Sequence, residues 1–295
     1  MAWIERNCPG CGAIELPQAF EKDDFDFRRC PHCNTLFVSP VPDQSVMDFI
    51  ATQGESTRFL KSTFSSQLRT ARYRHVLNSL LLWMVTTLDL YGISTGTYCA
   101  CGSDDPGWMD IVCQESLFEN IIAIRLNKND FTDQPPPYKI VNHISMVPEQ
   151  LDVISAFGIL NKLSDPVGFI DQVLKKLVNG GVLFISAACN GFEYQVLERD
   201  APNLLPLDRL TLFSTEALKG ILEERGLKVL EISTPGRFDV GTVRDYAQKN
   251  QQSLKSPFWD YLFMHGDDRC LSQFQLFLQE HRLSSYLRMV ARKES

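Results

Sequence analysis

The strongest constraint on the fold is an alternation that starts near residue 97 and runs to residue 232. Thr97 to Cys101, Ile121 to Ile124, Leu151 to Phe157, Val182 to Ser186 and Lys228 to Ile232 are short apolar runs of strand length. Lys139 to Val141 is a weaker one. Helix signals fall between them. Asp165-Pro166 offers an N-cap and a proline at the first helical position. Phe169, Ile170, Val173, Leu174 and Leu177 then recur at helical spacing up to a stop at Asn179-Gly180-Gly181. Ser214 caps another helix that ends at Gly226. Strands alternating with helices predict an α/β chain with a doubly wound, mainly parallel sheet. Leu151 to Phe157 is apolar almost throughout, as a strand covered on both faces would be. In such sheets ligands sit at the carboxyl ends of the strands.

Upstream, FVSPVPD at 37–43 reads as a strand followed by a proline-punctuated linker, and 44–66 as short polar helices across the next domain. From Leu68, the positions Val76, Leu77, Leu80, Leu81, Met84 and Leu88 predict a helix ending near Gly92. Downstream, 240–282 reads as helical. Its cluster of Phe258, Trp259, Tyr261, Leu262 and Phe263 is read as core or interface in preference to a cofactor box. Tyr286 to Ala291 is read as a last strand.

The first 43 residues obey a different rule. Cys8, Cys11, Cys30 and Cys33 form two Cys-x-x-Cys knuckles, CPGC and CPHC, with 18 residues between them. Such a turn aims two thiolates at one ion, and two turns complete a tetrahedral all-sulfur zinc site with no open position. That chemistry is structural. A unit this small lacks the core to offset its folding entropy, so zinc supplies the missing stability. His32 lies inside the second knuckle and is read as a bystander beside four cysteines. Asp23, Asp24 and Asp26 face Lys22, Arg28 and Arg29, which gives the ribbon no basic side.

Composition limits the partners. The net charge of -7 argues against broad binding to nucleic acid or an anionic membrane surface. MAWIERNC has no apolar leader, and Leu80 to Val85 is far short of the ~20 residues of a membrane span. A cytoplasmic protein is expected, with a small-molecule ligand or a protein partner, no nucleic acid, no membrane, and room for an oligomer.

LDVISAFGILNKLSDPVGFIDQVLKKLVNGGVLFIS at 151–186 resembles the central segment of class I S-adenosylmethionine-dependent methyltransferases, from the fourth strand to the fifth. DRLTLFSTEALKGILEERGLKVLEISTPGRFDV at 208–240 is similar to the helix and strand that follow, and one branch of the family carries a four-cysteine ribbon in front. The resemblance implies a Rossmann-like methyltransferase fold with an N-terminal zinc ribbon. It divides the chain into a ribbon at 1–43, a linker and helical cap at 44–92, and the Rossmann-like domain with C-terminal helices at 93–295.

The resemblance also implies a cofactor site at Ala100, Gly102, Asp104, Arg125 and Phe157, and the sequence departs from the family there. The first strand should end in an acid and a turn of the form DxGxGxG. Here Tyr98 stands for the acid, Ala100 and Asp104 replace glycines, and only Gly102 fits. The second strand should end in an acid that receives the ribose hydroxyls. Arg125 stands there, and a guanidinium accepts no hydrogen bond. Asn161-Lys162 replaces the Glu-His pair common near this branch. Three lost contacts at ~1–3 kcal/mol each weaken binding roughly several-thousand-fold.

Other chemistry is less pointed. Cys99 and Cys101 are read as buried small residues in preference to nucleophiles. His75, His143, His265 and His281 show no metal spacing. Arg237, Asp239 and Arg244 are read as a solvated surface in preference to substrate contacts. Arg125, if turned to the cofactor cleft, suits an anion. The expected protein holds a structural zinc, binds S-adenosylmethionine weakly or not at all, and serves another ligand or partner. The competing expectation is an active methyltransferase acting on a sugar or biosynthetic intermediate through a remodelled loop from Gly102 to Gly107.

Overall fold

The computed structural model describes residues 3–47, 66–102, 106–124, 136–147, 150–250, 254 and 256–294. The expected helices across 48–65, and Asp104 and Arg125, lie outside the described residues. The ribbon holds β1 (Trp3–Ile4), β2 (Gln18–Lys22), β3 (Phe25–Arg29), β4 (Leu36–Val38) and β5 (Val41–Pro42). Helix α1 (Ser66–Leu90) follows, then β6 (Thr97–Cys101), α2 (Pro106–Gln114), β7 (Asn120–Ile124) and β8 (Lys139–Val141). Next come β9 (Leu151–Phe157), α3 (Pro166–Lys176), β10 (Leu177–Ala188), α4 (Phe192–Leu197), β11 (Thr211–Leu212), α5 (Thr215–Glu223) and β12 (Leu227–Ser233). The chain finishes with α6 (Asp239–Asn250), α7 (Pro257–His265), α8 (Asp268–Glu280) and β13 (Tyr286–Lys293).

The main sheet has seven strands in the order β12-β13-β10-β9-β6-β7-β8. The pairs from β10 to β8 are parallel, and β13 enters antiparallel to both its neighbours. One face meets α1 and α2 through Met84, Tyr98, Met109, Val153 and Phe184. The other meets α3 and α5 through Cys101, Ile154, Ile170, Ile185 and Leu218. Cys99 and Cys101 are buried in this second face.

Local devices work where the residues announce them. Helix α1 buries Leu77, Leu80, Met84 and Leu88. Val76, expected on that face, is exposed. Gly92 takes φ +56, and the amides of Gly92 and Ile93 bond the carbonyls of Asp89 and Leu88, a Schellman stop. Asp165 accepts from the Gly168 amide at 2.8 Å and caps α3, and Ser214 accepts from Ala217 N at 3.1 Å and caps α5. The expected stop at Asn179-Gly180-Gly181 is displaced. Helix α3 ends at Lys176, and Leu177 already pairs with Leu151 in β10. The glycines form an irregular stretch inside the strand, where Gly180 takes φ +81 and Gly181 packs against the Asp152 carbonyl. Pairing of Leu177 with β9 outweighs the local stop signal.

The ribbon is sewn into the domain. Strand β11 pairs with β4, so the ribbon's sheet runs β11-β4-β3-β2. Phe27, Leu36 and Val38 share one apolar cluster with Phe192, Leu212, Val243 and Phe263. Of the aromatic group at 258–263, Phe263 is buried and Trp259 packs on Phe192 at 5.0 Å, whereas Phe258 and Tyr261 are exposed. Among the described residues, no helix is long and apolar enough to cross a membrane.

Candidate functional site

The sulfurs of Cys8, Cys11, Cys30 and Cys33 lie within 4.8 Å of one another. Cys8 Sγ is 3.5 Å from Cys33 Sγ, and Cys11 Sγ is 3.5 Å from Cys30 Sγ. Four sulfurs at about 2.3 Å from a zinc ion stand about 3.8 Å apart, so the spacing fits a metal, whereas a disulfide needs about 2.05 Å. The Gly10 amide donates to Cys8 Sγ at 3.4 Å, and a side chain at Gly10 would collide with Cys33 Sγ and Thr35 Oγ1. The group can hold zinc with every ligand position filled by protein.

At the carboxyl end of the main sheet, β6 and β9 run parallel with Cys101 opposite Ala156, which sets Gly102 beside Phe157. Gly102 takes φ +76, and a β-carbon there would come within 2.6 Å of Ile159 Cβ. Glycine is required twice over, for the left-handed backbone and for the close approach. Phe157 meets the Trp108 ring edge-on at 5.1 Å. Ala100 is fully buried.

Tyr98 stands one turn of the pleat before Ala100 and is also fully buried. Its hydroxyl lies 2.5 Å from Ser155 Oγ and accepts from Trp108 Nε1 at 2.8 Å. Its ring stacks on Phe118 at 4.6 Å. Burial pushes the phenol well above the ordinary tyrosine range, with the bonds to Ser155 and Trp108 only partly opposing it. Both polar partners and the ring face are therefore occupied by the core.

Asn161 is buried. Its Nδ2 donates to the carbonyls of Ala188 and Thr211 at 2.8 and 2.7 Å, and its Oδ1 accepts from Ala188 N at 2.9 Å. One amide thus ties the end of β10 to β11. Lys162 pairs with Asp208 at 2.9 Å. Arg6 completes the seam from the ribbon side, donating to the carbonyls of Val38, Ser164 and Leu210. Its partners lie up to 204 residues away, and nothing local in the sequence marks it.

Residues 77–232 match the family model described as a methyltransferase domain, over half of the 295-residue chain. The chain belongs to this methyltransferase family. Among solved structures, the methyltransferase-family chain is similar to the plantazolicin methyltransferase BpumL, crystallised with a pentazolic desmethylPZN analog and SAH. That match has a TM-score of 0.49 and 11% identity, over 85% of this chain and 98% of that one. An S-adenosylmethionine-dependent methyltransferase from Clostridium acetobutylicum gives 0.45 and 10%, over 77% and 99% of the two chains. The cyclopropane synthase MmaA2 from Mycobacterium tuberculosis gives 0.42 and 14%, over 71% and 84%. No curated protein matches this chain in sequence.

The residues after β12 correct one expectation. Asp239 is buried, not solvated: it accepts from Ser284 Oγ at 2.7 Å, Ser285 N at 2.6 Å and Gln275 Nε2 at 3.1 Å. It anchors α6 to the chain entering β13. Arg244 pairs with Asp268 at 2.7 Å and Arg237 meets His75 Nε2 at 3.0 Å, both at the surface.

Proposed function

We propose that this methyltransferase-fold chain does not transfer methyl groups from S-adenosylmethionine and instead holds another ligand or a protein partner. The observation that carries the reading is Tyr98. Where the family uses an acid to receive the cofactor's ammonium, a phenol sits enclosed in the core with its hydroxyl bonded to Ser155 and Trp108. A carboxylate in that enclosure would be a buried charge, so the core around it is built for a neutral group. Ile159, packed against Gly102, supports the same reading.

The zinc builds a cap and takes no part in chemistry, because four thiolates leave no coordination position. In this reading the ribbon covers 1–43, the linker and helical cap 44–92, and the Rossmann-like domain 93–295, with β11 as the shared strand. The net charge of -7 supports a protein that avoids nucleic acid and anionic membranes.

Calorimetric titration with S-adenosylmethionine tests the proposal. The expected result is binding weaker than about a millimolar, following the several-thousand-fold loss estimated from the changed contacts. Micromolar binding would overturn it. The left-handed Gly102 at the end of β6 favours the second reading, an active enzyme on a small-molecule acceptor. Radiolabelled methyl transfer to a metabolite extract separates the two.

A further inference from the structure

We infer that the cleft at the carboxyl end of β10 binds a planar aromatic carboxylate, a reading that rests on the proposal that this chain holds a ligand other than S-adenosylmethionine. The cleft encloses about 380 Å3, within the range of small-molecule sites. Its floor is the turn after β10, where Asn190 is buried and donates through Nδ2 to the Asn34 carbonyl at 2.7 Å. Asn34 directly follows the second zinc knuckle, so ribbon and domain close the site together.

Much of the remaining lining is aromatic. Trp259 from α7 and Phe274 and Phe277 from α8 supply it, with Trp259 5.7 Å from Phe274 and Phe274 stacked on Phe277 at 6.1 Å. Rigid ring faces accept a flat apolar molecule at little conformational cost. Charge then narrows the ligand. Among the described residues, Arg282 is the charged side chain that lines the cleft, and no carboxylate lines it, on a chain of net charge -7. Arg282 is exposed in the turn after α8, where its φ is +59. A guanidinium at the mouth of an apolar cleft pairs with a carboxylate and repels a cation.

Two probes isolate charge from shape: 2-naphthoate and 2-naphthylmethylammonium share a ring system and differ in sign. Each is titrated into the full chain by calorimetry. 2-Naphthoate is expected to bind about threefold to fivefold tighter than the amine, the scale of one exposed charge contact. Arg282→Gln should erase that preference, and Phe277→Ala should weaken both probes about tenfold. Both positions are exposed, and unchanged melting temperatures confirm that the variants fold. If Arg282→Gln does not fold, the salt dependence of 2-naphthoate binding to the unaltered chain reads the same contact. No saturable 2-naphthoate binding, equal affinity for the two probes, or a preference that survives Arg282→Gln or high salt overturns the inference, as does Phe277→Ala without effect. Neither probe is the cofactor. Tight S-adenosylmethionine binding would therefore remove the proposed function without touching this result, and a failed 2-naphthoate titration leaves the cofactor titration standing.

Discussion

Glu193 is 5% exposed, and both its carboxylate oxygens accept from Asn203 Nδ2, at 2.9 and 3.2 Å. Burial pushes its pKa up to about 7; the Asn203 bonds and Arg209 oppose the rise, and the charge of Asp239 adds to it. A carboxyl that holds its proton more tightly folded than unfolded stabilises the acidic side. Its contribution is complete below about pH 4 and is lost as pH rises through about 7. Stability should fall by about 3 kcal/mol over that window from this group alone. Glu193→Gln should flatten the slope, as read from urea midpoints at pH 4.5 and 8. A slope as steep in the variant would show that another group is responsible. Tyr98 teaches the opposite lesson at the same scale. The sequence singled it out only as standing where the resemblance implies an acid, and its partners Ser155 and Trp108 were not visible there, because they arrive from another strand and from α2.

Strand β11 has only two residues, yet it extends the ribbon's sheet with a segment from the domain. A pair of residues cannot hold a strand by its own ladder. Asn161 supplies the rest: its side chain bonds Ala188 and Thr211, and its carbonyl receives the amides of Leu210 and Thr211. Asn161→Ala leaves buried backbone groups at both ends unpaired and should cost about 2–4 kcal/mol. Hydrogen exchange should report the loss first at the amides of Leu36 to Val38, where β4 meets β11. Unchanged protection there would mean that the ribbon is held by its apolar cluster alone. At this scale the helix caps Asp165 and Ser214 and the stop at Gly92 were legible, since each acts within a few residues. The early end of α3 was not, because pairing of Leu177 with β9 decides it.

For the whole molecule, the ribbon and domain share the cluster of Phe27, Leu36, Phe192 and Val243. A zinc ion held by the four cysteines would therefore stabilise the domain as well as the ribbon. Elemental analysis of the purified protein should find one zinc per chain. A strong chelator should lower the single melting transition of the entire chain. Two independent transitions, with the domain unmoved, would show that the ribbon folds as a separate unit. The absence of zinc would remove the metal reading altogether.

The sequence by itself determined the devices that work over short distances. These are the two cysteine knuckles, the caps at Asp165 and Ser214, the stop at Gly92, and the alternation that selects a doubly wound sheet. Each depends on neighbours within a few positions, so spacing and residue type are enough. Only the tertiary structure decided how the parts meet. Arg6 reaches Leu210 across 204 residues, and Asn190 reaches Asn34 across 156. Asp239, which its neighbours Arg237 and Arg244 made look like surface, is drawn inside by Ser284 and Ser285. Such contacts carry no periodicity, because packing chooses the partner after the chain has folded back on itself.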